Sequence, residues 1–166
     1  MGEEKHLSSP TEGIDPEGAD FDRLDHEAQI ARLLVSQQRA IDAVSALQPS
    51  LARAAKDMIS TLQQGTGRLI YAGAGCSIRI GVQDGVELVP TFGWPLARLA
   101  YLIAGGPQAL SVSVEGAEDD RADAIAQVGD LAVNAHDVVI GVAASGNTAF
   151  TCAALNQAKA LGALTV

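Results

Sequence analysis

The sequence predicts an α/β fold: a doubly wound parallel sheet flanked by helices and preceded by an N-terminal helical segment. Three observations predict it. Four short apolar runs, at residues 69–72, 99–104, 138–142 and 163–166, alternate with stretches whose apolar residues recur at helical spacing, which is the pattern of βαβ units and parallel strands. The first and third runs are each followed by a small polar turn that opens a helix. The chain is 48% hydrophobic but only 4% aromatic, so its core is built from small aliphatic side chains, and its 166 residues suit one domain.

Residues 1–22 are polar and acidic and contain Pro10, Gly13, Pro16 and Gly18. They bury little and are expected to form a flexible arm. From Leu24 to Leu47 the residues Ile30, Leu33, Leu34, Ile41, Val44 and Leu47 mark a helix. Pro49 and Ser50 break and recap the chain. Leu51, Ala55, Met58 and Leu62 then mark one face of a second helix, stopped by Gly65 and Gly67. Residues 23–64 are thus expected to be helices packing on a domain of residues 65–166.

In that domain Leu69 to Ala72 reads as a buried strand, Gly73-Ala74-Gly75 as a sharp turn, and Ser77 as the cap of a helix that Pro90 ends. Pro90 to Pro95 reads as a loop. Leu99 to Ala104 reads as a second strand, closed by Gly105-Gly106-Pro107, and Ala109 to Glu118 as a helix running into the acidic Glu118-Asp119-Asp120. Ala122 to Val133 is expected to be helical, with Ile125, Val128 and Leu131 or Ala132 facing inward. Val138 to Val142 is the third strand. A turn from Ala144 to Thr148 opens a helix from Thr148 to Leu161 with Gly162 at its C′ position, and Ala163 to Val166 begins a fourth strand. The sheet is expected to be incomplete at the C-terminus.

The net charge of −9 disfavours a nucleic-acid backbone as partner. Most of the excess lies in residues 1–25, where Glu3, Glu4, Glu12, Asp15, Glu17, Asp20, Asp22 and Asp25 face only Lys5 and Arg23. The remaining chain is mildly acidic and can host a local anion site. Cys76 and Cys152 make no disulfide framework. No apolar run approaches membrane-spanning length and no N-terminal segment resembles a signal peptide. A soluble cytoplasmic protein with no nucleic-acid or membrane partner is expected.

Ligands of parallel sheets bind beyond the carboxyl ends of the strands. Both polar turns fall there, and each feeds a helix N-terminus, where free N–H groups and the positive dipole end favour an anion. The first turn has Ile78 where a dinucleotide fingerprint has its third glycine, and it lacks the Lys-Ser/Thr pair of a P-loop. Taken singly, Ser77, Ser145 and Thr148 read as helix caps. The recurrence of the turn favours a shared phosphate site formed by Gly75, Cys76 and Ser77 with Ser145, Gly146, Asn147 and Thr148.

Five motifs occur in order: Gly73-Ala74-Gly75-Cys76-Ser77, Pro90-Thr91-Phe92-Gly93, Ile103-Ala104-Gly105-Gly106, Val114-Glu115-Gly116-Ala117-Glu118-Asp119 and Gly141-Val142-Ala143-Ala144-Ser145-Gly146. The series resembles the N-acetylmuramic acid 6-phosphate etherases of the sugar isomerase (SIS) superfamily, and the Thr11-Glu12 pair resembles part of their N-terminal arm. The resemblance implies a SIS-type sheet and a phosphorylated amino sugar as ligand. It also implies cleavage of the D-lactyl ether to N-acetylglucosamine 6-phosphate and D-lactate, by elimination and water addition, with no metal and no cofactor. Two carboxyl groups serve that chemistry. The resemblance places them at Glu87, as donor to the ether oxygen, and Glu118, as base at C2, with Glu115 a competitor for the second role.

The sequence departs from the family at several points. Cys76 stands where the family has Thr. Ile78 stands for Gly, which is costly if that position needs positive φ. Asn147, Ala149 and Phe150 stand for Arg, Pro and Tyr, and Gly85-Val86 precedes Glu87. The family's chains are about twice as long, so the sequence reads as a fragment or a natural half-length relative: a protein ending at Val166 is expected to bind the sugar phosphate but turn over N-acetylmuramic acid 6-phosphate far more slowly than full-length relatives, and a longer natural chain is expected to be an active etherase that needs Glu87 and Glu118. The amphipathic segment 24–64 and an unpaired sheet edge point to a homodimer. A second reading is a non-catalytic sugar-phosphate-binding regulator. A third, an aldose–ketose isomerase, would use His136, which precedes a strand at the wrong end of the sheet.

Overall fold

The computed structural model describes residue 13 and residues 16–166. The Thr11-Glu12 pair and most of the acidic arm lie outside the described residues. Within the arm, Pro16–Gly18 and Phe21–Arg23 form single 3₁₀ turns. The chain divides into two compact units, Met1–Ala55 and Lys56–Val166.

In the first unit, helix α1 (His26–Ala46) begins where the Asp25 carboxylate accepts the Ala28 N–H at 2.8 Å. Arg32 pairs with Asp20 at 2.7 Å. The apolar positions that mark this helix, Ile30, Leu33, Leu34, Ile41 and Val44, are all more than half exposed. Helix α2 (Gln48–Gln63) follows directly, with the break at Leu47 rather than at Pro49-Ser50. Pro49 falls in the first turn, where a missing N–H removes no helical bond. The unit boundary falls within α2: from Lys56 on it belongs to the second unit, where Met58 and Leu62 of the expected face pack against a core cluster, whereas Leu51, in the first unit, is exposed.

The second unit is a parallel sheet of four strands in the order β2-β1-β3-β4: β1 (Leu69–Gly73), β2 (Leu99–Ile103), β3 (Val138–Val142) and β4 (Leu164–Thr165). Leu69 stands opposite both Leu99 and Val138, and Gly73 opposite both Ile103 and Val142. Helices α3 (Gly75–Phe92), α4 (Arg121–Asp130) and α5 (Ala149–Ala160) complete the layers. Side chains of β1 alternate between two cores, as a period of two requires when both faces are covered. Ile70 and Ala72 pack with Leu102, Val128, Phe150 and the alanines of α4 and α5. Leu69 and Tyr71 pack with Ile78, Ile103 and Val138.

Several expected boundaries move. Helix α3 begins at Gly75, not at Ser77, and passes through Pro90 to Phe92. Its stop is Gly93 (φ 64), whose N–H bonds the Val89 carbonyl at 3.0 Å while Trp94 bonds Leu88 at 3.2 Å, the paired closure that a left-handed glycine permits. Residues 109–118 are not a helix. Only the short turns Pro107–Leu110 and Ala117–Asp119 form, because Gly106 (φ 76) and Gly116 (φ 72) break the right-handed path on either side. Helix α4 ends at Asp130 rather than Val133, since Ala132 takes φ 50. Ile125, expected inside, is exposed; Ala124 and Val128 are the buried residues of α4.

The Gly85-Val86 departure has a packing reason. Tyr71 and Tyr101 stack with centroids 6.0 Å apart, and a Cβ on Gly85 would lie 2.6 Å from the Tyr101 hydroxyl. The Tyr71 hydroxyl donates to Asp84, and burial together with that carboxylate pushes it above the usual tyrosine range.

The other end of the sheet is tied by charge. Asp137, 1% exposed, accepts from Arg68 at its backbone N (2.8 Å), Nε (3.1 Å) and Nη2 (2.7 Å), and from the Asn134 N–H at 3.1 Å. Arg68 also donates to the carbonyls of Leu131 (2.9 Å) and Ala132 (3.2 Å). Burial would raise the Asp137 pKa, but these donors hold it below its ordinary 3.8. The resulting stabilisation is present above about pH 3.8 and is lost as pH falls through the lower folded-state value. Asp137→Ala, which strands the guanidinium, is expected to destabilise by about 3 kcal/mol. The loss should shrink in unfolding experiments repeated at progressively lower pH below 3.8; a difference that stays undiminished into strong acid contradicts the charge-based account.

Candidate functional site

Because the sheet is parallel and its register level, the turns after β1 and β3 leave from adjacent positions, Gly73 and Val142. A Cβ on Gly73 would meet the Val142 carbonyl oxygen at 2.7 Å, so the two strands part with no side chain between them. Gly75 then takes φ 53 and swings the chain into α3. Ala74 occupies the N-cap and supplies no side-chain bond; Thr148, at the N-cap of α5, makes none either. The first-turn N–H groups of both helices are thus uncapped by these side chains and remain donors for an anion.

The expected binding residues fall on these two turns. Cys76 is exposed and Ser77 half-buried in the first turn of α3. In the other turn, Ser145 Oγ accepts the Asn147 N–H at 3.1 Å. Gly146 takes φ 68 and its carbonyl receives the Cys152 thiol at 3.5 Å. Ser145 and Thr148 are half-buried, and Gly146 and Asn147 exposed. Ile78 is not in a positive-φ position: it lies within α3, fully buried, so it fills the core and leaves the reversal to Gly75.

A cavity of about 170 Å³ lies where the first turn meets the segment after β2, lined by Gly75, Arg79, Ser113, Glu115 and Glu118 among others. Glu118 sits in the turn Ala117–Asp119, presented by the left-handed Gly116. Arg79 anchors on the Ala109 carbonyl through Nε (3.3 Å) and Nη2 (3.0 Å). Ser113 donates to Glu115 at 3.4 Å. None of the residues 144–148 lines this cavity, and neither does Glu87. Glu87 is exposed on α3, twelve residues beyond Gly75 and so about 18 Å along the helix axis at 1.5 Å per residue. The structure therefore brings Gly75, Glu115 and Glu118 together and holds Glu87 apart. Sequence reasoning assigns no role to Arg79. Its only trace there is a lone cation between two isoleucines, shortly after the glycine turn. His136 is exposed at the amino end of β3, away from this crevice.

A parallel α/β domain with two helix N-termini opening side by side at strand carboxyl ends is a ligand-binding domain of the doubly wound class. Residues 50–159 match the family model described as glucokinase regulatory protein N-terminal SIS domain, and the chain belongs to that family. It is similar to proteins named N-acetylmuramic acid 6-phosphate etherase. The relative from Deinococcus radiodurans is 46% identical over 156 residues, 94% of this chain and 51% of that protein. That from Gloeobacter violaceus is 40% identical over 166 residues, 100% of this chain and 53% of its own, and that from Streptomyces avermitilis is 42% identical over 157 residues, 94% and 50%. The chain spans about half the length of the curated relatives it matches. The resemblance drawn from the five motifs is borne out by them.

Gly75 gives the site a direct test. A Cβ there meets nothing within 4 Å, so the cost of Gly75→Ala is conformational. It is expected at about 1–2 kcal/mol for a left-handed alanine, read as a lower denaturation midpoint with unchanged slope. A neutral substitution would mean that the turn readily adopts another path.

Proposed function

We propose that this chain binds a phosphorylated amino sugar and belongs to an etherase that cleaves the D-lactyl ether of N-acetylmuramic acid 6-phosphate. The observation that carries this reading is the cavity joining Glu118 and Arg79 to the uncapped start of α3. The phosphate is assigned to the first-turn N–H groups of α3 and α5 with the hydroxyls of Ser77, Ser145 and Thr148, and with Gly75, Cys76, Gly146 and Asn147 shaping the two turns. Glu118 takes the C2 proton, which the C1 aldehyde of the open sugar acidifies. The electron pair forms the C2–C3 double bond and the C3–O bond breaks. Glu87 protonates the departing lactyl oxygen, and water then adds at C3. No residue in this scheme requires a metal or cofactor.

The separation of Glu87 from the cavity supports a homodimer in which one protomer supplies Glu118 and its partner Glu87. The exposed apolar face of α1 supplies surface for association. No helix among the described residues is long and apolar enough to cross a membrane, and recycling of a cell-wall amino sugar fits the cytoplasm. The arm of residues 1–22, the helical segment 23–64 and the binding domain 65–166 remain our division of the chain. A non-catalytic regulator is the second reading, favoured by the description of the matching family model. It predicts sugar-phosphate binding with no lactate release.

Calorimetric titration with N-acetylglucosamine 6-phosphate tests the binding half. Ser145→Ala is expected to weaken affinity by about tenfold, one charge-assisted hydrogen bond. Equal affinity for the unphosphorylated sugar would reject the phosphate site. The catalytic half is tested by D-lactate release, which Glu87→Gln and Glu118→Gln should each abolish. Mixing the two variants should restore about a quarter of the wild-type rate if the acids meet across a two-fold dimer; no recovery on mixing would sink the shared site.

A further inference from the structure

Arg79 is the one cation among the residues lining the cavity. Among the described residues its hydrogen bonds go through Nε and Nη2 to the uncharged Ala109 carbonyl, and none engages Nη1. Among the described residues it forms no ion pair with Glu115 or Glu118, although both line the same cavity. The side chain is half-buried, so water screens it incompletely. A guanidinium held in place by a neutral carbonyl and not ion-paired with a neighbouring carboxylate is arranged for an anion that arrives with a ligand.

Which anion follows from the size and position of the cavity. At about 170 Å³ it is smaller than the pockets of roughly 300–1,000 Å³ that enclose whole ligands, so it takes one end of a sugar rather than all of it. That end also meets Glu118, the base assigned to C2. In N-acetylmuramic acid 6-phosphate the group next to C2 is the lactyl ether on C3, which carries its own carboxylate; the phosphate is on C6, beyond the opposite side of the ring. We infer that Arg79 recognises the lactyl carboxylate, making the Arg79 side of this cavity a lactyl subsite that adjoins the phosphate-binding turn at Gly75. The inference rests on the etherase reading above and deepens it. It assigns to Arg79 the discrimination between the ether substrate and the amino sugar phosphate left after cleavage, which has no carboxylate. A guanidinium there also offsets the repulsion that Glu115 and Glu118 exert on an incoming carboxylate.

The test compares three ligands by calorimetry. One is the 1-deoxy analogue of N-acetylmuramic acid 6-phosphate, which cannot open to the aldehyde and so cannot eliminate. The second is the same analogue with its lactyl carboxylate converted to a carboxamide. The third is N-acetylglucosamine 6-phosphate. The wild-type chain should bind the carboxylate at least about tenfold more tightly than the carboxamide. Arg79→Gln should erase that preference and leave affinity for N-acetylglucosamine 6-phosphate within about twofold of wild type. Arg79→Lys, which keeps the charge, should retain a preference for the carboxylate and guards against misfolding of the glutamine variant. A preference that survives Arg79→Gln, or equal weakening of all three ligands, would overturn the lactyl assignment while leaving the phosphate site standing. Failure of the wild-type chain to bind any of the three would overturn the etherase reading and this inference with it.

Discussion

The clasp between Arg68 and Asp137 is the constraint on which the rest of the binding unit depends. It joins the residue just before β1 to the residue just before β3, and the register Leu69↔Val138 follows immediately. The same guanidinium holds the carbonyls of Leu131 and Ala132, where the chain leaves α4 through a left-handed alanine. A buried charge pair contributes little net stability unless all its bonding capacity is met, and here five donors converge on one carboxylate. Its larger effect is positional. Two parallel strands that start level and run five residues also end level, so the turns that begin the two uncapped helices emerge at the same height.

A second clasp works beside it. Arg98 donates to the Leu62 carbonyl at 2.6 Å and to that of Gly67 at 2.7 Å, and lies over the Trp94 ring at 4.9 Å. It ties the end of α2, the approach to β1 and the approach to β2 at the amino end of the sheet. Charge fixes that end, and the carboxyl end is left to glycine turns and unpaired donors. The division suits a binding domain: polar groups are satisfied where geometry is set and left open where a ligand is to be met.

The strands were legible because an apolar run bounded by glycine has few other uses, and β1 to β4 lie where those runs predict. The two turns were legible for the same reason. The start of α3 was not, since Ser77 is a good cap by residue type and only the φ of Gly75 reveals that the helix begins two residues earlier. The segment 109–118 is not legible as a non-helix, because Gly106 lies before it and Gly116 interrupts it only near its end, and neither residue type alone reveals its positive φ. Ile125 shows the limit of periodicity: the alanine beside it occupies the close-packed face, which an isoleucine would overfill. Arg79 was invisible because its meaning depends on Ala109, thirty positions away. No local pattern encodes that distance, and the same holds for the gap between Glu87 and Glu118.

The order of pairing in the sheet bears on how this domain comes into being. β1 is a central strand, yet its neighbours β2 and β3 are made 30 and 69 residues later. At a synthesis rate of about 5–20 residues per second, β1 waits roughly 3–14 s for its second partner. Through that interval an apolar five-residue strand has at least one open edge, and the clasp that sets its register has only its arginine half. Folding is therefore gated by a long-range closure rather than by any local element, and the nascent chain is most exposed to mispairing just when its future ligand turn already exists as sequence but not yet as a site.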